Sequence, residues 1–472
     1  MYLKHNILRG SNFRGLPGKT TKTPIHILHN TIEDARNNGK ELWIAFQDMS
    51  KAFDSIGMTP LRYALRRIKL PPMAIDFIIN LFQHRKMKII TNFGLSNELI
   101  AADGIDQGEV ISPLIWRIFY DPLLCRIMDD PQLGYNMNIN WPIDLHGNTH
   151  IHSTRISALA FFDDTAWIGS SLSLQQTINI SNGFFNLNDI NINGDKSEVI
   201  AVNANRQHQD SDGIVMGTDQ HTVKPVANNQ LIRYLGVWFS SKLSPRHQQR
   251  IARQEIDSIV NIIRTKKPTV DQVIYINNRV LIPRLEYRMC TTLFSVLTAR
   301  NLYTPLTKVS KQLLQLPGNA KNNILTHPGI LGFITLEQNQ LIHHFTEFVI
   351  RINENSLATT TMLIRLRNFQ LKHGITNPIW TLNHSQLSIL SVHNNLSASI
   401  LKRMRQLDFA FEFNGDIHSW SIPGSSQDLF HLFLPLDNSK NYLDLFGPAI
   451  HLFFALNSVW INSRIISFHG HL

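Results

Sequence analysis

Residues 156–171 read ISALAFFDDTAWIGSS, and this stretch decides the fold class. Two short apolar runs flank the adjacent carboxylates Asp163 and Asp164. Runs of this length favour strands, so the pattern predicts a tight hairpin with both aspartates at its turn. Burying two like charges side by side is costly, and a divalent cation would remove that cost. A plain polar β-turn is the simpler interpretation of the same dipeptide.

A third carboxylate favours the metal interpretation. Residues 41–46 (ELWIAF) predict a buried strand, and Asp48 follows its end. In sheets that carry helices, strand ends of this kind are where ligands bind. The sequence therefore predicts that Asp48 and the Asp163–Asp164 pair meet.

Composition sets the protein class. The chain has 472 residues, 43% of them hydrophobic, which predicts a globular protein of two or three subdomains. The formal net charge is +10, and residues 242–321 alone hold 14 Lys and Arg against 4 acids. A basic segment on a balanced body indicates a polyanionic partner, whereas a solvated helical face is the alternative.

Cysteine usage and hydropathy limit the compartment. Only Cys125 and Cys290 occur, which excludes a disulfide framework and favours an intracellular protein, with nucleus and cytoplasm not distinguished. The N-terminus is too polar for a signal peptide. The longest apolar run, residues 445–461, contains Gly447 and Pro448 and predicts a core helix rather than a membrane span.

Other segments predict the surrounding elements. Helices are expected over about 24–38, 59–70, 71–83, 114–128 and 174–188, and strands over 87–95, 99–102, 197–202 and 231–240, with 129–155 as a loop. Long basic helices are expected over 245–265, 269–281 and 285–314. Residues 326–472 carry no motif.

Five motifs in a fixed order resemble the palm motifs of reverse transcriptases, and most closely those of non-LTR (LINE-like) retrotransposons. They are FQDMSKAFD with Asp48, Phe53 and Asp54, QGEVISP with Gln107 and Gly108, FFDD with Asp163 and Asp164, Asn193-x-x-Lys196, and Leu235-Gly236. The resemblance implies an α+β fold: a polymerase palm, which is an antiparallel sheet with packed helices, followed by a helical thumb and a mostly helical C-terminal region. Only 47 residues precede Asp48, so we expect fingers that are truncated at the N-terminus.

The resemblance also implies a reaction, RNA-directed DNA synthesis by two-metal nucleotidyl transfer from dNTP to a primer 3′ end. Asp48 and Asp163 match the family's metal ligands, and the Met49 carbonyl is an additional ligand. Asp164 supports the site or the primer end. The implied metal is Mg²⁺, or Mn²⁺ in its place, since such ions take oxygen ligands and clamp the attacking and leaving oxygens.

Further roles follow from the resemblance alone. Phe53 matches the aromatic residue beneath the incoming sugar, and its alternative is a core aromatic. Lys196 matches the lysine that protonates or neutralises the leaving pyrophosphate. Gln107 and Gly108 match the nucleotide and template pocket, where Gly108 allows close backbone approach. Leu235 and Gly236 match the primer-grip hairpin.

The implied organisation is fingers remnant and palm over 1–240, a basic thumb over 241–325 and a helical region of unassigned role over 326–472. The implied partners are an RNA template, a DNA primer and dNTP, with no membrane, and the oligomeric state is open. A catalytically inactive retroelement remnant that only binds nucleic acid is the alternative function.

Overall fold

The structure, a computed structural model, describes residues 7–14, 19–49, 52–101, 103–142, 149–204, 213–217, 220–354, 356–392, 394–407 and 421–422. The core-helix prediction for residues 445–461 lies outside these ranges. The chain forms two compact units. The first comprises residues 1–28, 34–136 and 155–243, and the second comprises 29–33, 137–154 and 244–472.

The elements up to residue 239 alternate between helices and short strands. In chain order they are α1 (Lys22–Asn38), β1 (Leu42–Gln47), α2 (Met58–Arg67), α3 (Pro72–Phe82), β2 (Arg85–Met87), β3 (Ile90–Thr91), β4 (Gly94–Leu95), β5 (Leu99–Ala101), α4 (Ser112–Asp129), β6 (Tyr135–Pro142), β7 (Thr149–Ile156), β8 (Ala158–Phe161), β9 (Asp164–Gly169), α5 (Ser171–Leu187), β10 (Glu198–Val202), β11 (Ile214–Met216), β12 (His221–Val223), β13 (Ile232–Tyr234) and β14 (Val237–Phe239).

A four-stranded sheet of order β10-β1-β9-β8 is the centre of the first unit, and its pairs are all antiparallel. Every residue of β1 is buried, because both faces of this central strand are covered. One face carries Trp43, Ala45 and Trp167, which join the main hydrophobic core. Helices α4 and α5 pack against the sheet. The predicted α+β class, with helices packed on an antiparallel sheet, is confirmed.

Both edges of this sheet are covered. At the β8 edge, Ala160 donates its N–H to the Ser11 carbonyl and accepts from the Phe13 N–H, each at 2.9 Å. At the β10 edge, the Val226 N–H donates to the Val199 carbonyl at 2.8 Å. These contacts occupy backbone groups of each edge strand, which makes the edges less able to recruit another chain.

The second unit is helical after residue 244. Its helices are α6 (Pro245–Lys266), α7 (Val270–Tyr275), α8 (Ile282–Arg288), α9 (Val296–Leu313), α10 (Asn323–Thr326), α11 (Leu336–Asn353), α12 (Leu357–His373), α13 (His384–Ile389) and α14 (Leu396–Gln406), with a π-helical turn over Ile276–Leu281. A core around Phe348, Leu366 and Trp380 holds the C-terminal helices together. In the ranges listed above, no helix is both long and apolar enough to cross a membrane.

Acidic side chains neutralise part of the basic segment. Glu255 on α6 pairs with both Arg284 and Arg288 of α8, and Arg253 pairs with Asp257 at 3.4 Å. Arginines in such pairs are less available to an external polyanion. Other basic residues of these helices are exposed, namely Arg246, Arg250, Arg264 and Lys266.

Four predicted elements were wrong. The single helix 285–314 is interrupted, because α8 ends at Arg288 and α9 begins only at Val296. The single strand 87–95 is broken, because Thr91 pairs with Gly94 in a tight turn and Gly94 has φ of 114°. The predicted loop 129–155 instead contains β6 and β7, and in β6 polar residues alternate with buried Met137, Ile139 and Trp141. Residues 231–240 form the hairpin β13–β14 rather than one strand.

The left-handed backbone conformation of Lys267, at the end of α6, can be tested by substitution. Lys267 caps the helix with φ of 45° and ψ of 55°, and its N–H donates to the Ile263 carbonyl at 3.0 Å. We expect Lys267→Gly to raise the free energy of unfolding by about 1 kcal/mol, because glycine has no penalty in this left-handed region. Denaturant unfolding followed by circular dichroism measures the change.

Its neighbour supplies the matched control. Lys266 carries the same side chain but is the last residue within the helix. Lys266→Gly should lower the free energy of unfolding by about 0.5–1 kcal/mol, because glycine disfavours helical backbone. Changes of the same sign in both variants would contradict this interpretation.

Candidate active site

The pairing of β1 with β9 brings the predicted carboxylates together. Gln47 lies opposite Thr165 in the antiparallel register. One residue further along, the same register places Asp48 opposite Asp164. Asp163 precedes Asp164 in the turn that joins β8 to β9. The three aspartates predicted from sequence therefore lie at one end of the sheet.

The hairpin turn consists of Phe162 and Asp163, since Phe161 and Asp164 form its closing pair. Asp164 is thus the first residue of β9, whereas the sequence placed both aspartates at the turn. Phe162 has φ of 60°, which the first position of a two-residue hairpin turn requires and which glycine usually supplies. The Asn12 side chain exchanges hydrogen bonds with the Phe162 N–H at 3.4 Å and carbonyl at 3.3 Å.

The carboxylates disfavour one another's charge. Burial raises the pKa of Asp163, and the nearby Asp48 charge raises it further. Burial and the charges of Asp163 and Asp48 raise the pKa of Asp164 to about 6. Such shifts cluster at sites that bind cations or move protons. The ionised carboxylates at this site therefore repel one another, and a bound cation would offset that repulsion.

The backbone of Asp48 is held by the segment before β10. The Asn193 N–H donates to the Asp48 carbonyl at 3.0 Å, and the Asp48 N–H donates to Ser197 Oγ at 3.3 Å. Lys196 lies between these two anchors, in an exposed 3-10 turn. The structure thus brings Lys196 to the carboxylate end of the sheet. Sequence reasoning missed Ser197, which no local pattern distinguishes.

Met49 directly follows Asp48 and pairs with Ile192 in an isolated antiparallel bridge. This pairing holds its backbone at the same end of the sheet as Asp48. The Met49 side chain is buried in the core.

The donor set suits a hard cation. Within the described ranges, no three Asp, Glu, His or Cys side chains are grouped closely enough to hold a metal by themselves. Two carboxylates and a backbone carbonyl are nevertheless oxygen donors of the kind Mg²⁺ takes, with water completing its shell. The residues present therefore fit Mg²⁺ through a sparse ligand set.

An aromatic column lies beside the turn. The Phe53 ring stacks on Trp116 with centroids 5.4 Å apart, and it meets the Phe162 ring edge-on at 6.0 Å. The Arg14 guanidinium lies 4.8 Å from the Phe162 ring centroid. Phe53 is half-buried, so it is both part of the packing and adjacent to the carboxylate turn.

The Gln107–Gly108 segment is tied to the Phe53 turn. The Ile105 N–H donates to the Phe53 carbonyl at 2.9 Å, and Gly104 lies so near Asp54 that a Cβ there would be 2.7 Å from its carbonyl oxygen. A Cβ at Gly108 would have no described atom within 4 Å, so this backbone faces open space. Its φ of 102° is a conformation that favours glycine.

The charge of Asp106 is balanced locally. Arg85 forms an ion pair with Asp106, and its guanidinium also donates to the Gly104 carbonyl at 2.8 Å. The acidic side chain beside Gln107 is therefore paired with a cation within the same turn region.

Leu235 and Gly236 form the turn of the β13–β14 hairpin, closed by the pair Tyr234 and Val237. Their φ values are 47° and 83°, and two left-handed turn residues are typical of a type I′ turn. The Tyr234 hydroxyl donates to the Leu159 carbonyl of β8 at 2.8 Å. This contact joins the hairpin to the strand that leads into the carboxylate turn.

Comparison with known proteins agrees with this geometry. The family model described as reverse transcriptase (RNA-dependent DNA polymerase) matches residues 6–239. The Pol polyprotein of the type-1 retrotransposable element R2 of Popillia japonica is 23% identical over 272 residues, which cover 57% of this chain and 41% of that protein. Its counterpart from Nasonia vitripennis is 30% identical over 138 residues, which cover 29% of this chain and 12% of that protein.

A solved structure of apo telomerase from Candida tropicalis, truncated from its C-terminal domain, has a TM-score of 0.34 and 14% identity. The match covers 51% of this chain and 42% of that one.

Residues 6–239 thus belong to the reverse transcriptase family. Within this family, the chain fits the non-LTR retrotransposon branch, because the two relatives described above are R2 Pol polyproteins. Their identity to this chain is low, at 23% and 30%. The chain spans less than half the length of these two relatives.

The raised pKa of Asp164 yields a stability prediction. Because the folded pKa of about 6 exceeds the unfolded value, ionisation above pH 6 destabilises the fold. We expect Asp164→Asn to raise the melting temperature in metal-free buffer at pH 8. The difference should shrink as the pH falls through 6 towards 4, where the wild-type carboxyl is protonated in the folded state.

Asp195→Asn is the matched control, because that carboxylate is 91% exposed. Thermal melts of both variants with EDTA across this pH range provide the measurement. A melting temperature for Asp164→Asn equal to or below that of the wild type at pH 8 would refute the repulsion argument.

Proposed function

We propose that the chain is the RNA-directed DNA polymerase of a retrotransposon, which adds dNTP to a primer 3′ end on an RNA template. One observation carries the proposal. Within a reverse transcriptase domain, the β1–β9 register ends with Gln47 opposite Thr165, which brings Asp48 next to the turn that leads through Asp163 to Asp164. The raised pKa values of Asp163 and Asp164 support a site that accepts cations.

Asp48 and Asp163 are the proposed side-chain ligands, with the Met49 carbonyl as an additional oxygen. When bound, Mg²⁺ ions supply neutralisation of the charge that develops on the attacking and leaving oxygens. Asp164, the first residue of β9, supports the site or the primer end. Mn²⁺ prefers the same oxygen donors and is the proposed substitute.

The proposed substrate contacts follow from the local packing. Phe53 is held between Trp116 and Phe162, so its ring presents a fixed barrier to a ribose 2′ hydroxyl. Gln107 and Gly108, exposed beside the Phe53 turn, line the nucleotide and template pocket. The exposed Lys196 ammonium supplies a proton or a positive charge to the leaving pyrophosphate.

Primer and template contacts complete the proposal. The Leu235–Gly236 turn receives the primer strand, where glycine lets the nucleic-acid backbone approach closely. Helices α6 to α9 act as the thumb, and their exposed basic residues contact phosphates without reading sequence. Affinity for a primer–template duplex should accordingly fall as salt rises.

Asp163→Ala tests the catalytic assignment. Loss of a metal-binding carboxylate should lower primer extension on an RNA template by about a thousandfold or more, because transition-state charge is left unbalanced. Steady-state dNTP incorporation with Mg²⁺, and with EDTA added, measures the effect. Asp195→Ala serves as a control that removes an exposed carboxylate.

Wild-type incorporation no greater than that of Asp163→Ala would overturn the polymerase assignment. Salt-sensitive duplex binding by the same inactive protein would then establish the alternative, a retroelement remnant that binds nucleic acid without turnover.

Phe53→Ala tests the sugar contact. Removing the ring should raise the efficiency of NTP use relative to dNTP by about tenfold, because a 2′ hydroxyl no longer clashes. Competition between dNTP and NTP during primer extension measures the ratio. Phe77→Ala, which truncates an exposed phenylalanine of α3, is the matched control. An unchanged ratio in Phe53→Ala would exclude the assignment.

A further inference from the structure

Tyr234 connects the Leu235–Gly236 turn to the central sheet through side-chain contacts. It ends β13, immediately before the turn, and is 3% exposed. Its hydroxyl donates to the Leu159 carbonyl of β8 at 2.8 Å. Its ring centroid lies 5.4 Å from that of Phe46 in β1. One side chain therefore contacts both strands that lead to the carboxylates.

These two contacts fall on one row of the sheet. Ala166 of β9 pairs with Phe46 on one side and with Leu159 on the other. Two residues further along each strand, the next row of the same face holds Asp48, Asp164 and Phe161. Because a strand rises 3.4 Å per residue, the Tyr234 row lies about 7 Å from the carboxylate row.

The face of the sheet is also shared. Side chains two residues apart on a strand point to the same side, so Phe46 and Asp48 lie on one face, opposite the core residues Trp43 and Ala45. Tyr234 packs on the Phe46 side. The Leu235–Gly236 turn therefore starts from a point fixed in both row and face relative to Asp48.

The hydroxyl and the ring restrain Tyr234 differently. Ring packing against Phe46 is non-directional and tolerates sliding. The hydrogen bond to the Leu159 carbonyl is directional and buried, so it fixes the register of the hairpin along β8. Loss of the hydroxyl alone should leave the hairpin packed but free to shift along the sheet.

We infer that Tyr234 is a positioning residue that sets the separation between the primer-binding turn and the carboxylates, and so aligns the primer 3′ end with Asp48 and Asp163. This inference rests on the proposed polymerase function. Tyr234 acts through the Leu235–Gly236 turn and does not itself contact reacting atoms.

Tyr234→Phe tests the inference, because it removes the hydroxyl and keeps the ring. In single-turnover primer extension, we expect the rate constant to fall by about tenfold, since reacting atoms displaced by a fraction of an ångström lose alignment. The amplitude, which reports the fraction of folded, competent protein, should be unchanged. A merely structural role predicts the reverse, a lower amplitude with an unchanged rate constant.

Tyr63→Phe is the matched control, because it removes a tyrosine hydroxyl from a side chain that is 64% exposed on α2. Its rate constant and amplitude should equal those of the wild type.

A second readout does not depend on turnover. A primer with 5-iodouracil at its 3′ end is annealed to RNA and photo-crosslinked to the protein, and the attached peptide is identified. In the wild type we expect attachment within residues 232–239. Tyr234→Phe should lower this yield at least threefold while duplex affinity by fluorescence anisotropy stays the same.

The outcomes separate the two proposals. A wild type that crosslinks through residues 232–239 but incorporates no dNTP overturns the polymerase assignment, and a lower yield in Tyr234→Phe then still supports positioning. A wild type that turns over, together with an unchanged rate constant and crosslink yield in Tyr234→Phe, overturns the positioning inference. Attachment at another segment in the wild type overturns it as well.

Discussion

The structure depends on one constraint, the antiparallel register between β1 and β9. A slip of one residue would move both Phe46 and Asp48 to the face that now carries Trp43 and Ala45. Burial of all six β1 residues makes such a slip expensive, because the two faces carry different side chains. The apolar packing of Trp43, Ala45 and Trp167 therefore does more than stabilise the sheet. It holds three mutually repelling carboxylates at one end, which the fold would otherwise avoid.

The sequence alone predicted the elements that are marked by a local hydrophobic periodicity or by a short motif. The carboxylate hairpin, the strand before Asp48 and most of the helices were found, because their apolar spacing is unambiguous. Strands β6 and β7 were missed, because Asn, His, Ser and Thr alternate with few apolar residues there. Ser197 and Tyr234 were missed for another reason. Their contacts with Asp48 and Leu159 span 149 and 75 positions, and nothing local marks such partners.

The candidate site carries several features that oppose stability. Phe162 occupies a left-handed position that suits glycine, and the pKa of Asp164 is raised to about 6. Backbone strain and like charges at one turn are tolerated only where the surroundings over-determine the conformation. Here Asn12 holds the Phe162 backbone from outside the hairpin, while Tyr120 reaches Thr165 from α4 at 3.1 Å. The support comes from both sides of the turn.

The sequence separation of the aspartates has a consequence for the order of folding. Asp48 and Asp163 lie 115 positions apart, and β10, which anchors the other edge of β1, ends only at Val202. Pairings between distant strands form slowly, since the intervening loop must close first. A chain emerging from the ribosome cannot complete this sheet until residue 202 has left the exit tunnel. Strand β1, which is buried on both faces in the folded protein, therefore stays unpaired and open to chaperones until then.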